Sequence, residues 1–380
     1  MAGKQAASYE YFHALDSLRG IAALHVLLFH LPAWCAPLYH FEFIRSGWVM
    51  VNFFFVLSGF VLCHSYADRL SSRRDLTKFF ALRIGRIYPV YLLYLLLFLG
   101  VEFLKYAGTY QGASAGPFAE NTPGAFVECL FLVQALGFTN HANAFNFPSW
   151  SISTEFYTYV VFALSVLLVS KARFRTLSTV LALATVGALV FVKPQLGTFH
   201  LWLRCIAGFF VGCVTCYAYR ALRERQVSAL WSYGALLALV AYLCTHLQLE
   251  SMWTEAIYPI SGCLVLSLAL APQSPINEVL GWRPLRWLGE VSYSVYMCHA
   301  FVLAIARRGV RVLKAPEQLV DGVSTPQFSP LLGALLSLGV VVGGLLTAWL
   351  TYRFVENPGR LRTRQIVKSF DAPSALPAKA

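Results

Sequence analysis

Ten stretches of this sequence are apolar and long enough to cross a lipid bilayer as helices, at about residues 17–34, 47–66, 84–104, 148–170, 176–192, 200–219, 229–246, 254–271, 288–306 and 331–354. That pattern fixes the class before any motif is read. Within lipid every backbone polar group must bond inside the protein, so apolar runs of this length become helices packed into a bundle. Of the 380 residues, 58% are hydrophobic and 13% are charged, with mean hydropathy +0.60. Average soluble domains are about 25% charged. The expected fold is all-α, a polytopic integral membrane protein with about ten transmembrane helices. One domain is expected over 15–358, after a cytoplasmic segment 1–14 and before a basic cytoplasmic tail 359–380 that reads as disordered. Asp16 and Arg19 stand at the start of the first apolar run and no small-residue cleavage site ends it, so it is expected to be a retained span rather than a signal peptide.

The formal charge of +12 would suit a nucleic-acid partner, but no nucleic-acid-binding motif accompanies it, and none is expected to bind. Basic residues beside apolar spans follow from the positive-inside rule. Clusters at 69–86 and 353–368 are expected to be cytoplasmic. A shorter apolar stretch, residues 123–138, decides the remaining topology. If it does not cross, the clusters at 171–175, 220–225 and 283–286 also fall inside, both termini are cytoplasmic, and 105–147 is a long outer loop, partly re-entrant. Arg307, Arg308, Arg311 and Lys314 then face outward, where they would meet an anionic acceptor. Nine cysteines lie mostly within apolar runs, and the Cys213/Cys216 pair reads as small buried packing rather than redox chemistry.

Ionisable groups inside spans are costly, and each is a functional-site hypothesis with a partner to name. In "LDSLRGIAALHVLLFH" (15–30), Arg19 and His30 are eleven residues apart, within about 20° on a helix and about 16 Å along it. An interfacial Arg19 paired with Asp16 is the structural alternative. His25 lies off this stripe. In "FFALRIGRIYPVYLL", Arg83 and Arg86 share a helix face, suited to gripping phosphate oxygens, although ordinary membrane anchoring gives the same pattern. In "NFPSWSISTEFYTY", Glu155 enters the membrane by about 10 Å, a depth similar to that of His30, with Trp150, Ser151 and Tyr157 around it. In "LGEVSYSVYMCHAF", Ser292, Tyr296 and His299 fall on one helix face, where helix-to-helix contact through small and hydroxyl residues is the alternative.

Taken in order, "LDSLRGIAALHVLLFH", "FFFVLSGFVL", "FFALRIGRIYPVY", "SWSISTEFY", "SYSVYMCH" and "FVENPGR" resemble the successive motifs of membrane acyltransferase family 3. That family includes bacterial O-acetyltransferases of lipopolysaccharide O-antigens, exopolysaccharides and nodulation factors. The resemblance implies ten core transmembrane helices in the bacterial cytoplasmic (inner) membrane. It also implies acetyl-CoA or another acyl-CoA as cytoplasmic co-substrate, with no bound cofactor or metal, and a carbohydrate or glycolipid hydroxyl as acceptor. It carries the family's essential Arg and His onto Arg19 and His30, its arginine pair onto Arg83 and Arg86, its glutamate onto Glu155 and its later histidine onto His299. Some members add a C-terminal esterase-like domain, which the residues after Pro358 are too few to form.

The chemistry implied suits the residue types. A thioester needs a base for the acceptor hydroxyl and positive charge or hydrogen bonds for the oxyanion. His30 is the expected base, with Glu155 or His299 holding its tautomer or orienting the sugar; a covalent acyl-histidine relay is the variant. Arg83 and Arg86 are expected to bind the CoA phosphates, with Arg19 bridging donor and base. The alternative from another class is a proton-coupled transporter using the same intramembrane charges. The paired inner arginines and the lack of evident repeats favour the enzyme.

Overall fold

The computed structural model describes residues 12–34, 36–108, 116–225, 227–245 and 252–370. In chain order it contains α1 (His13–Phe29), α2 (Ala36–Tyr39), α3 (Glu42–Arg45), α4 (Met50–Tyr66), α5 (Arg73–Tyr106), α6 (Pro123–Leu130), α7 (Trp150–Leu168), α8 (Lys171–Phe191), α9 (His200–Leu222) and α10 (Leu230–Leu243). There follow α11 (Ile257–Leu270), α12 (Pro275–Leu280), α13 (Arg283–Arg311), a hairpin of β1 (Glu317–Val320) and β2 (Val323–Pro326), α14 (Pro330–Thr351) and α15 (Asn357–Ser369). The fold is all-α apart from that hairpin. Each of the ten expected spans contains a helix. Among the described residues, eight helical stretches are long and apolar enough to cross a bilayer, whereas α1 has 17 residues and α10 has 14.

Glycines set the closest helix approaches. A Cβ on Gly289 would lie 2.4 Å from the Asp16 carbonyl oxygen, and one on Gly20 would lie 2.5 Å from the Gly289 nitrogen, so α1 and α13 touch backbone to backbone. The α4–α9 contact is built the same way: a Cβ on Gly212 would meet the Val56 carbonyl oxygen at 2.1 Å. Small residues are the usual means by which membrane helices gain packing contacts, since lipid offers no hydrophobic drive between them.

The basic clusters gather at one end of the bundle. Asp68 pairs with Lys171 at 3.0 Å and Arg220 at 2.9 Å, tying together the ends of α4, α8 and α9. Burial works against the Asp68 charge, yet these two cations hold its carboxyl below the usual carboxylate range. The Ser17 hydroxyl donates to the Leu280 carbonyl at 2.6 Å, which brings α12 and the start of α13 to the same end. This is the arrangement expected if 123–138 does not cross.

Segment 123–138 does not cross as a helix. Its only helix, α6, has eight residues, about 12 Å, against about 30 Å of hydrocarbon. It dips into the bundle instead. Tyr91 donates to the Cys129 carbonyl at 2.7 Å, Tyr88 to the Leu130 carbonyl at 3.0 Å, and Ser153 to the Leu132 carbonyl at 2.6 Å. Tyr91 lies fifteen residues, about 22 Å, from the far end of α5, so the segment is re-entrant. Non-helical backbone at that depth is tolerated because protein hydrogen bonds satisfy it. At the far end of α5, the buried Glu102 carboxylate accepts from Lys105, Asn121 and the Phe118 amide at 2.6–2.8 Å and anchors the descent.

The tail corrects the reading of 359–380 as disordered: α15 is helical to Ser369, while 371–380 lie outside the described residues. It docks antiparallel on the first turns of α5. A Cβ on Gly359 would lie 2.9 Å from Pro89, one on Gly85 would overlap Thr363, and Arg74 donates to the Phe370 carbonyl. Composition alone hides this, because the helix is stabilised by its partner. Segment 1–14 is described only from residue 12, and α1 already begins at His13.

Candidate active site

The two polar stripes read from the sequence lie side by side. Beyond the Gly20/Gly289 contact, α1 and α13 run in the same direction, so the stripe on one helix faces the stripe on the other. Arg19 Nε donates to Ser292 Oγ at 3.0 Å, Nη2 reaches the Gly289 carbonyl at 3.4 Å, and Nη2 pairs with Asp16 at 2.9 Å. Further along, the rings of His30 and His299 stand 5.0 Å apart. Arg19 therefore makes the Asp16 pair expected of an anchor and also the contact expected of the stripe.

His30 Nδ1 lies 2.8 Å from the Val26 carbonyl and His299 Nδ1 lies 2.6 Å from the Tyr296 carbonyl. A carbonyl oxygen can only accept, so both rings carry their proton on Nδ1 and leave Nε2 as a lone pair. His299 is fully buried and its Nε2 has no hydrogen-bond partner. Leaving a buried acceptor unpaired costs about 1–3 kcal/mol, which is the signature of a place where a donor is meant to enter. Phe147 lies 4.9 Å from the His30 ring and 5.7 Å from that of His299, closing the pair where the re-entrant segment returns. The tautomer of His30 is set by its own helix rather than by Glu155 or His299.

A pocket of about 1090 Å³, including its mouth, lies between α1, α4, α5, α7 and α13. Asp16, Arg19, Arg83, Arg86, Ser151, Glu155, Ser292 and Tyr296 all line it, and neither histidine does. Along α4 its lining runs from Leu62 to Val51, about 16 Å into the bundle. Arg83 reaches the Tyr66 hydroxyl at 3.4 Å while its buried Nε has no partner. Glu155 thus belongs with the arginines and not beside His30. Counting residues from a helix start could not tell which neighbour Glu155 would face.

One wall separates the pocket from the histidines. Ser151 and Tyr296 share a hydrogen bond of 2.8 Å, Tyr296 donates to the Pro148 carbonyl at 3.0 Å, and the Tyr296 ring stands 5.7 Å from that of His299. Tyr296 is common to both chambers. Tyr157 points elsewhere, donating to the Phe131 carbonyl at 3.1 Å, so it braces the re-entrant segment. His25, set aside from the stripe, bonds the Phe43 carbonyl at 2.6 Å. Cys213 is buried with its thiol 3.7 Å from the Gly59 carbonyl, the packing role expected of it. Among the described residues no three His, Cys, Asp or Glu side chains gather as metal ligands.

The sequence reading missed Arg204. It is 7% exposed, donates to Asn52 Oδ1 at 3.0 and 3.2 Å, and lies 5.1 Å from the Trp150 ring and 5.7 Å from that of Trp48. It fixes Trp150, the residue before the Ser151 of the wall. An arginine in "FHLWLRCIAG" was a signal by the rule that buried charges have partners, and it lay within an expected span.

Comparison with known proteins agrees with this architecture. The acyltransferase MdmB of Streptomyces mycarofaciens is 30% identical over 91% of this chain and 90% of its own length. A putative peptidoglycan O-acetyltransferase of Bacillus subtilis, YrhL, is 24% identical, and the peptidoglycan O-acetyltransferase OatA of Listeria monocytogenes is 22% identical. Each of these two aligns with 93% of this chain, which spans 55% of the first and 56% of the second. No solved structure matches. The acyltransferase domain model of family 3 matches residues 12–353, from the residue before α1 to just past the end of α14, and the chain belongs to that membrane acyltransferase family.

Proposed function

We propose that the protein is an integral membrane O-acyltransferase that moves an acyl group, acetyl in the simplest case, from acyl-CoA to a hydroxyl of a carbohydrate or glycolipid. Cell-surface and exported glycans, peptidoglycan among them, are the acceptor class. The observation that carries this reading is the two-chamber arrangement: an arginine-lined pocket at the basic end and a histidine pair with free lone pairs beyond Tyr296. The basic end faces the cytoplasm of a bacterium, with both termini there.

In this reading Arg83 and Arg86 hold the donor phosphates, with Arg19 at the same pocket, and the acyl thioester reaches toward the Ser151/Tyr296 wall. His30 Nε2 accepts the proton of the acceptor hydroxyl as its oxygen attacks the thioester carbon. The new ester bond forms, the carbon–sulfur bond breaks, and CoA leaves as a thiolate that recovers the proton. The Ser151/Tyr296 hydroxyl pair lies at that wall, and the proton now held on the Pro148 carbonyl is the one that turns to the oxyanion of the tetrahedral intermediate. His299, with its own Nε2 lone pair, accepts a second hydrogen bond from the acceptor. Holding the two substrates at one wall removes much of the entropic barrier.

Replacing Arg83 or Arg86 with Ala tests the donor site. Each loses a charge-assisted contact to phosphate, so the apparent KM for acyl-CoA should rise about tenfold or more while kcat falls less. An unchanged donor dependence in both variants rules out the phosphate clamp.

A further inference from the structure

Beside His30, at the end of the bundle opposite the arginine pocket, four elements bring together two cations, a phenol and one carboxylate. Arg45, at the end of α3, donates to the Phe29 carbonyl at 3.4 Å, one residue before His30. Its guanidinium stands 4.4 Å from the ring of Tyr39 and 5.1 Å from that of Phe29. The Tyr39 hydroxyl donates to Asp321 at 2.7 Å. Arg307, exposed on α13, is the second cation at this end. It lies eight residues beyond His299 on α13, about 12 Å along the axis.

The carboxylate comes from a separable element. Asp321 and Gly322 form the two-residue turn of the β1–β2 hairpin, with φ of 49° and 77°, as a type I′ Asp-Gly turn requires. A lone two-stranded hairpin is marginally stable, so lifting its tip costs little. Arg308, Arg311 and Lys314 lie on the same stretch of chain and keep the surrounding field positive, which attracts anions to this end. Guanidinium groups match carboxylate and phosphate oxygens in geometry.

We infer that Arg45, Tyr39 and Arg307 bind an anionic group, a carboxylate or phosphate ester, carried by the carbohydrate acceptor, and that Asp321 occupies its place until the acceptor arrives. The site holds the acceptor beside His30, so it selects the acceptor and takes no part in the chemistry. The inference rests on the proposed function only in naming the ligand an acceptor.

Binding is read without turnover. Full-length protein in lipid nanodiscs is titrated against fluorescently labelled tetragalacturonate and labelled neutral chitotetraose, by fluorescence polarisation and without acyl-CoA. The anionic probe should bind and the neutral one should bind at least tenfold more weakly. Arg45→Ala and Arg307→Gln should each weaken anionic binding about tenfold, while Arg45→Lys retains part of it. Asp321→Ala should tighten binding severalfold, a change that damage to the fold does not produce. Equal binding of both probes, wild-type affinity in the arginine variants, or displacement by phosphatidylglycerol vesicles at lower concentration than by unlabelled tetragalacturonate would each overturn the inference. A protein inactive in acyl transfer still gives this answer, and a failed titration leaves the transfer assay to stand separately.

Discussion

A carbonyl oxygen at Nδ1 gives His30 and His299 a fixed tautomer, and that one contact leaves on each Nε2 the lone pair that the proposed roles need. The pair differs in what surrounds it: His299 is fully buried, while His30 is part-buried at the end of α1. His30→Ala should therefore lower kcat by about 10²–10⁴ with normal membrane insertion, because a positioned general base contributes that range. His299→Ala should lower kcat less and raise the acceptor KM, since in the proposed reading its lone pair holds a neighbouring hydroxyl of the acceptor. Steady-state kinetics on membrane-inserted variants checks both, and a His30→Ala enzyme with wild-type kcat would remove it as the base. Arg19 and His30 were legible from spacing alone, because a helix face is a local property. The partners of Glu155 and Tyr157 were not, because spacing says nothing about which neighbouring helix a face meets.

At the scale of elements, the site exists because α1 and α13 approach through Gly20 and Gly289. Gly289→Leu would force a side chain into the Asp16 carbonyl and separate the two stripes. Overpacking costs about 1–3 kcal/mol, so the detergent-solubilised variant should unfold several degrees lower and lose transfer activity. Wild-type thermal stability in that variant would contradict the packing described here. The sequence showed both glycines, but a glycine marks a contact only when its partner helix is known. The re-entrant segment was partly legible, since a crossing would have put three basic clusters outside, whereas its anchors at Tyr88, Tyr91 and Ser153 are tertiary. Helix α15 was misread because low apolar content suggests disorder unless a docking face such as Gly85 and Pro89 on α5 is in view.

The whole molecule has one charged axis: a basic end around α5 and α15, and a second, smaller basic patch around Arg45 and Arg307 at the other. In the proposed orientation the larger one faces the cytoplasm, in line with the positive-inside rule. In a cysteine-free background, a cysteine at Gln318 should react with a membrane-impermeant thiol reagent in intact cells, and one at Lys368 only after permeabilisation. The reverse pattern would invert the proposed donor and acceptor sides. That clusters from 69 to 368 share one end was legible from charge and span count together, and the Asp68 ties to Lys171 and Arg220 agree with it. The most direct test of the account is transfer itself. Purified protein in liposomes receives radiolabelled acetyl-CoA with bacterial glycans as acceptors, and label is followed into glycan ester. The account predicts donor-dependent labelling that disappears in His30→Ala. No acetyl-CoA turnover, together with a His30-dependent proton or solute flux, would contradict it and make the same intramembrane residues a transport path.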